Sequence, residues 1–261
     1  MRNPRSVPRR LLAIFALPIV LIALWWALSL NSTSFFFPPL GDILGAFGPT
    51  WGPRFVDDVL PSIGRVLVGY LFAVVIGVLL GLLLGIWRGL RAFTEPPIAF
   101  LRSIPATMFI PIVMLFLGLG DNMKVVVIAT GCVWPVLLNT IEGVRGVDSV
   151  LRDTAAGYRM RPWSRVTRLL LPAAGPAIMV GCRQALSVAL ILMVITERFA
   201  ANSGIGLAIA EFERNFAMAA MWSGILLLGL IGVVLSLLFG AIESRLLSWY
   251  FGQRALQRGD R

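Results

Sequence analysis

Histidine is absent from the 261 residues, cysteine occurs only at Cys132 and Cys182, and lysine only at Lys124. Without histidine, and with both cysteines inside apolar stretches, the sequence offers no metal-ligand set, no disulfide framework and no Cys/His nucleophile. The two thiols fit small, buried, apolar positions. Charge is scarce as well. Asp, Glu, Lys and Arg make up 14% of residues against 58% apolar, at a mean hydropathy of +0.86, which leaves too little polar surface to coat a soluble globule. No internal repeat and no low-complexity tract interrupts the chain, so one membrane domain over residues 1–261 accounts for it. The phosphate-cradling pattern GxxxxGK[ST] is missing too, so no nucleotide is expected to bind to this chain.

What is present is arginine, 22 of them, scattered between long uncharged stretches rather than gathered on one face. That distribution argues against nucleic acid and for the charge bias of a membrane protein. A bilayer core of about 30 Å takes about 20 apolar residues in a helix. Six such stretches occur, at about 11–30, 66–87, 103–120, 125–141, 173–196 and 216–242, the third punctured by Pro105 and Pro111. They predict an all-α polytopic fold with six transmembrane helices. Arg2, Arg5, Arg9 and Arg10 before the first stretch resemble a signal peptide. The stretch is longer than a typical signal core, however, and no small-x-small site follows, so it is expected to be retained. With the amino terminus in the cytoplasm, seventeen basic residues fall inside and five outside, with Arg183 left within a span, so both termini are expected to be cytoplasmic. The Pro/Gly-rich segment 31–60, edged by Phe35, Phe36, Phe37 and Trp51, suits an external interfacial position.

The most patterned polar segment is 142–172, between the fourth and fifth stretches. Residues 148–160 predict a short helix with Asp148 and Asp153 toward its start, where the helix dipole favours negative charge. Pro162 breaks or restarts it. Trp163, Val166, Thr167 and Leu170 then share one face, with Arg161, Arg165 and Arg168 on the other, so two short helices at an angle are expected at the membrane surface. On periodicity alone, an interfacial loop touching lipid headgroups and a protein-docking loop are equally compatible with this pattern.

The run DTAAGYRMRPWSRVTRLLLP resembles the coupling-loop signature of binding-protein-dependent ABC importer permeases. Asp153 matches its acidic position, Thr154 and Ala155 its small ones, and Leu171 with Pro172 its closing pair. Arg159 stands where that family usually carries glycine, with Gly157 two residues earlier, which leaves the loop's sharp turn either at 159 or shifted to 157. FFPPLGDI, LPSIGRVLVGY, LRSIPATMFIP, LGLGDNMK, WPVLLNTIEGV and SGIGLAI, in this order, are similar to the nitrate, sulfonate and taurine branch of the family. The resemblance implies the ABC importer permease fold and, as cargo, a small organic or inorganic anion such as nitrate, a sulfonate or taurine, or else a heteroaromatic vitamin precursor. It also implies a homodimer of permeases in the bacterial inner membrane, an extracytoplasmic solute-binding protein, and a separate ATP-binding subunit that grips residues 153–172. No cofactor is implied for this chain itself, ATP being bound by the partner.

Within the spans, Arg183 is the clearest charge, either an anion-attracting group on a translocation path or a structurally paired arginine. Glu197 and Arg198 end the fifth stretch, either as a pair at the external mouth or as markers of the water boundary. Glycines 77, 81 and 85 form a stripe four residues apart that permits a tight helix interface. A stand-alone ion-coupled carrier is the rival reading, but it usually places ionisable groups at mid-membrane and often shows inverted repeats. A membrane enzyme lacks any catalytic constellation here, so catalytic residues are expected to be none.

Overall fold

The structure, a computed structural model, describes residues 6–30, 32–199 and 202–250, without the side chains of 6–15 and 18. The arginines at 2–10 and 254–261 therefore lie outside the described side chains. Among the described residues there are helices and no strand. In chain order they are α1 (Ser6–Ser29), α2 (Leu40–Trp51), α3 (Leu60–Ile86), α4 (Arg88–Ser103), α5 (Ile110–Leu117), α6 (Asp121–Arg145), α7 (Ser149–Gly157), α8 (Pro162–Arg165), α9 (Leu171–Phe199), α10 (Ile205–Arg214) and α11 (Met218–Leu246).

Four continuous helical stretches are long and apolar enough to cross a membrane: Phe55–Ile86, Asp121–Arg145, Pro162–Phe199 and Met218–Leu246. They contain the stretches expected at 125–141 and 173–196, all of 66–87 but its last residue, and most of 216–242. The stretch expected at 103–120 takes another form. Arg88–Ser103 and Ala106–Leu117 meet at a bend of 86°, because Pro105 breaks the helix and leaves Ile104 extended at ψ 123°. The first expected stretch falls in α1, whose 24 residues measure about 36 Å at the helical rise. Segment 31–60 and the turn after Glu197 are more structured than hydropathy suggests. They hold α2 and α10, which pack Trp51, Ile205, Ala208 and Ile209 against Leu227 and Ile231 of α11.

Prolines shape two of the long helices in the same way. A wide π-type turn, Phe55–Val59, precedes Leu60-Pro61, and another, Val166–Leu170, precedes Leu171-Pro172. Proline has no N–H and its ring clashes with the carbonyl four residues back. Widening the turn, with Leu60 N–H reaching Phe55 O and Leu171 N–H reaching Val166 O, lets each helix run through. The second short helix expected in the 142–172 segment is therefore the first turn of the long Pro162–Phe199 helix rather than a separate element.

At the centre, α6 lies between α3 and α9. A Cβ added to Gly69, Gly77, Gly81 or Gly85 would meet Ile128, Val136, Thr140 or Val144 within 2.5–2.8 Å, each partner lying 59 positions further along. A constant offset means that α3 and α6 run parallel, in contact over four turns. On its other side α6 runs antiparallel to α9: Gly131 faces Leu192, and Gly143 faces Ala174 and Ala177. Gly181 comes against Pro135 O and Asn139. The glycine stripe thus packs within one subunit.

Gly81→Ala is expected to destabilise the protein by about 1–3 kcal/mol through overpacking against Thr140 and Leu137 O. Gly229→Ala, where a Cβ meets nothing within 4 Å, is expected to leave stability unchanged or slightly raised. Unfolding midpoints of the two detergent-solubilised variants measure the difference.

Candidate functional site

The elbow between α6 and α9 is held by its own backbone chemistry. Arg145 in the last turn of α6 suits the negative end of the helix dipole and pairs with Glu142 at 2.7 Å. Asp148 caps α7, its carboxylate accepting from Val150 N–H at 2.9 Å. Arg152 reaches back from α7, its Nη2 donating to the carbonyls of Val144 (2.6 Å) and Arg145 (2.8 Å). That contact satisfies acceptors at the end of α6 that no helical N–H can reach, and clamps α7 onto α6.

Of the residues matched to the coupling signature, Ala155 turns inward and is buried, while Asp153, Thr154, Gly157 and Arg159 are exposed. Thr154 Oγ donates to Val150 O within the helix. Leu171 and Pro172 open α9, behind the wide turn. α7 exposes Val150 and Leu151, and beyond its end Tyr158 stands 82% and Trp163 77% exposed. These are exposed apolar side chains on a segment rich in arginine.

The sharp turn falls at residue 159. Arg159 has φ +51°, while Gly157 remains in the helix. Tyr158 N–H reaches Thr154 O, Arg159 N–H reaches Ala156 O and Met160 N–H reaches Ala155 O, closing the helix with a left-handed residue. Arginine tolerates that conformation less well than glycine.

Arg183 has a partner. Its Nη2 pairs with the Glu243 carboxylate of α11, and its guanidinium lies 5.6 Å from the Phe239 ring centroid. Glu197 and Arg198 do not pair with each other, because consecutive helix residues face different sides. Arg198 bonds Glu213 at 2.6 Å, and Glu197 is fully buried.

The burial of Glu197 exposes a cluster that hydropathy reasoning missed. Its carboxylate accepts from Arg65 Nη1 (2.6 Å), Ser62 Oγ (2.8 Å) and Gly206 N–H (2.9 Å). Ser62 Oγ also accepts from Ile205 N–H, and Asp58 accepts from Gly204 N–H at 2.7 Å. Three successive N–H groups at the start of α10 are thereby satisfied by the wide turn before α3, by α3 and by α9, in the place where a helix dipole favours negative charge. Arg65 also bonds Asp121 and Ser203, and Lys124 bonds Asp121. Gly204, at φ +131°, is pressed against the Glu197 carboxylate, so no side chain fits there. The available signal was Arg65, a charge one residue before an uninterrupted apolar run.

The elbow and this cluster occupy opposite ends of one helix. From Pro162 to Glu197 the Pro162–Phe199 helix spans about 50 Å.

Comparison with known proteins matches residues 73–248 to the family described as "Binding-protein-dependent transport system inner membrane component". The chain is 30% identical to the putative aliphatic sulfonates transport permease protein SsuC of Escherichia coli, over 89% of this chain and 90% of that one. It is 26% identical to the taurine transport system permease protein TauC of the same organism, over 88% and 87%. In fold it resembles a chain of the inward-facing MetNI methionine ABC transporter, with a TM-score of 0.67 at 18% identity, over 75% of this chain and 97% of that one.

Glu197→Gln is expected to cost about 1–3 kcal/mol, because buried Arg65 loses its buried countercharge and keeps only the exposed Asp121. Thermal unfolding in detergent reads this. Arg159→Gly is expected to stabilise the elbow by about 1 kcal/mol, since glycine adopts positive φ without strain. Slower hydrogen exchange of the amides at 155–161 is the corresponding observable.

Proposed function

The chain belongs to the family of binding-protein-dependent transport system inner membrane components, and from that membership we propose how it works. It is a membrane-spanning permease subunit of an ATP-driven importer, whose family works with an ATP-binding subunit and a solute-binding protein. In our reading, two copies form the translocation unit, both termini lie in the cytoplasm, and the elbow at 142–172 faces the ATPase. ATP binds and is hydrolysed on that partner. The cargo is a small anion of the sulfonate or taurine type, or nitrate. SsuC and TauC carry the first two in their names, and the six motif strings of the sequence point to the same branch.

The observation that carries this reading is the exposure of apolar Val150, Leu151 and Tyr158 on and just after a helix that Arg152 clamps to α6. A solvated loop gains nothing from such side chains, whereas an ATPase cleft buries them and covers the apolar core of the contact. Movement of the ATPase subunits then acts on a rigid body. Because the turn before Pro172 keeps the helix continuous, a displacement at Trp163 is carried along α9 toward Glu197 and the start of α10 at the opposite mouth. The same continuity disfavours the stand-alone carrier, which has no use for an exposed docking segment. Arg183, paired with Glu243, and Glu197, sealed in its cluster, serve as structural ties in this scheme rather than as cargo ligands.

Gly157→Val tests the docking. A side chain at 157 meets nothing of this chain within 4 Å, so the permease itself accommodates it. The expected outcome is an approximately tenfold or greater loss of ATPase subunit on co-purification, the scale of a disturbed interface hot spot. Unchanged recovery of the ATPase with both Gly157→Val and Tyr158→Ala would remove the elbow from the interface.

A further inference from the structure

Arg102 closes α4, a helix that the hydropathy pattern had assigned to a loop. The structure lays α4 against the elbow-side half of α6. Arg91, Thr94 and Glu95 share a small cavity with Glu142 and Arg145, and Ile98 packs at Leu137 and Ile141. Beyond them, Arg102 and Ser103 line a larger cavity with Trp134, Pro135, Asn139 and Gln184. Trp134 and Asn139 lie 11 and 6 residues before Arg145, so this cavity sits about 9–16 Å from the elbow end of α6. Arg102 is thus a charge beside the elbow-side half of a helix long and apolar enough to cross a membrane. It makes no hydrogen bond or ion pair among the described residues, unlike Arg183. An unpaired guanidinium at that depth belongs against water or a charged solute, since lipid tails would not tolerate it.

The cavity measures about 550 Å³, is open on one side, and has no carboxylate among its lining residues. Glu95 and Glu142 face the other, smaller cavity. Its amide chemistry has a direction. Asn139 Nδ2 donates to Pro135 O (2.8 Å) and to Gln184 Oε1 (3.3 Å). With its oxygen occupied, Gln184 is left with its amide N–H groups as free donors, and Asn139 acts as the positioning residue. Ser103 directs its hydroxyl proton to Phe100 O at 2.7 Å. One cation, one oriented amide donor and no negative group make a setting for oxyanions.

We infer that Arg102 and Gln184, oriented by Asn139, form an anion-recognition site on the elbow-side half of the translocation path, which selects small sulfonate-, carboxylate- or nitrate-like solutes after the binding protein has released them. The site rests on the permease reading above and adds a selectivity element within the membrane to the one that the binding protein supplies.

The test uses phosphatidylcholine proteoliposomes that hold the permease, its ATPase subunit and its binding protein, with labelled ethanesulfonate, taurine and nitrate offered outside. Arg102→Gln and Gln184→Leu are each expected to slow initial uptake about tenfold or more, the scale of one lost charge-assisted hydrogen bond. Arg102→Lys is expected to lose less, and Asn139→Ala to raise the concentration needed for half-maximal uptake more than it lowers the maximal rate. ATPase co-purification and basal ATP hydrolysis are expected to stay at the wild-type level in all four variants. Loss of those two properties in the wild-type preparation marks failure of the permease reading, independently of the site. Wild-type uptake in Arg102→Gln, or no uptake of any of the three anions by a complex that hydrolyses ATP, would overturn the site. So would an Arg102→Gln defect that appears only when phosphatidylglycerol replaces phosphatidylcholine, which would assign the guanidinium to a lipid headgroup.

Discussion

Lipid tails are as apolar as leucine, so burial alone gives helices in a bilayer little reason to associate, and α3, α6 and α9 hold together by backbone-close packing instead. Glycines 69, 77, 81 and 85 let α3 lie on α6 at one unbroken register, and glycines 131, 143 and 181 do the same between α6 and α9. The remaining elements take their positions from this three-helix core. α4 and α5 lean on α6, and α10 and α11 reach the core through α9. The outer helices show the contrast. Half of the most apolar window in Pro162–Phe199 is buried within the subunit, but only 17% of that in Met218–Leu246, whose surface is left for lipid or another chain.

The polar chemistry is placed at the ends of this core. At one end, Arg152 ties the elbow to the last carbonyls of α6. At the other, Glu197, Ser62 and Asp58 hold the first N–H groups of α10. Both arrangements answer the same demand, that a helix terminus near a membrane cannot leave its backbone groups unpaired. The Pro162–Phe199 helix connects them, and the wide turn before Pro172 keeps it continuous. The Leu171-Pro172 pair marks where the elbow becomes the membrane helix.

Much of this was legible in the amino-acid order. The spacing of apolar residues located the long helices. Asp148 and Pro162 located the start of α7 and the restart at α8, and the 77–81–85 stripe announced a tight interface. Other features were not legible, for definite reasons. A charged amphipathic helix such as α4 has the composition of a loop, so hydropathy alone does not reveal it between the second and third apolar stretches. Glu197 and Arg198 are neighbours in sequence but point to different partners. Residue 159 was one of two candidates for the turn, and only the backbone decided between arginine and glycine.

By itself, the sequence determined the solvent in which the chain folds, the all-α class, and the segment that breaks the apolar pattern between the fourth and fifth stretches. These depend on composition and local period, which a helix reads from residues three and four positions away. The tertiary structure alone decided which charges are paired, because those contacts join residues far apart in the chain: Arg65 with Glu197, Arg183 with Glu243, Asn139 with Gln184. It also decided that Arg102 of α4 lies beside Asn139 of α6 and Gln184 of α9, since what a side chain meets depends on how the helices are packed and not on its neighbours in sequence.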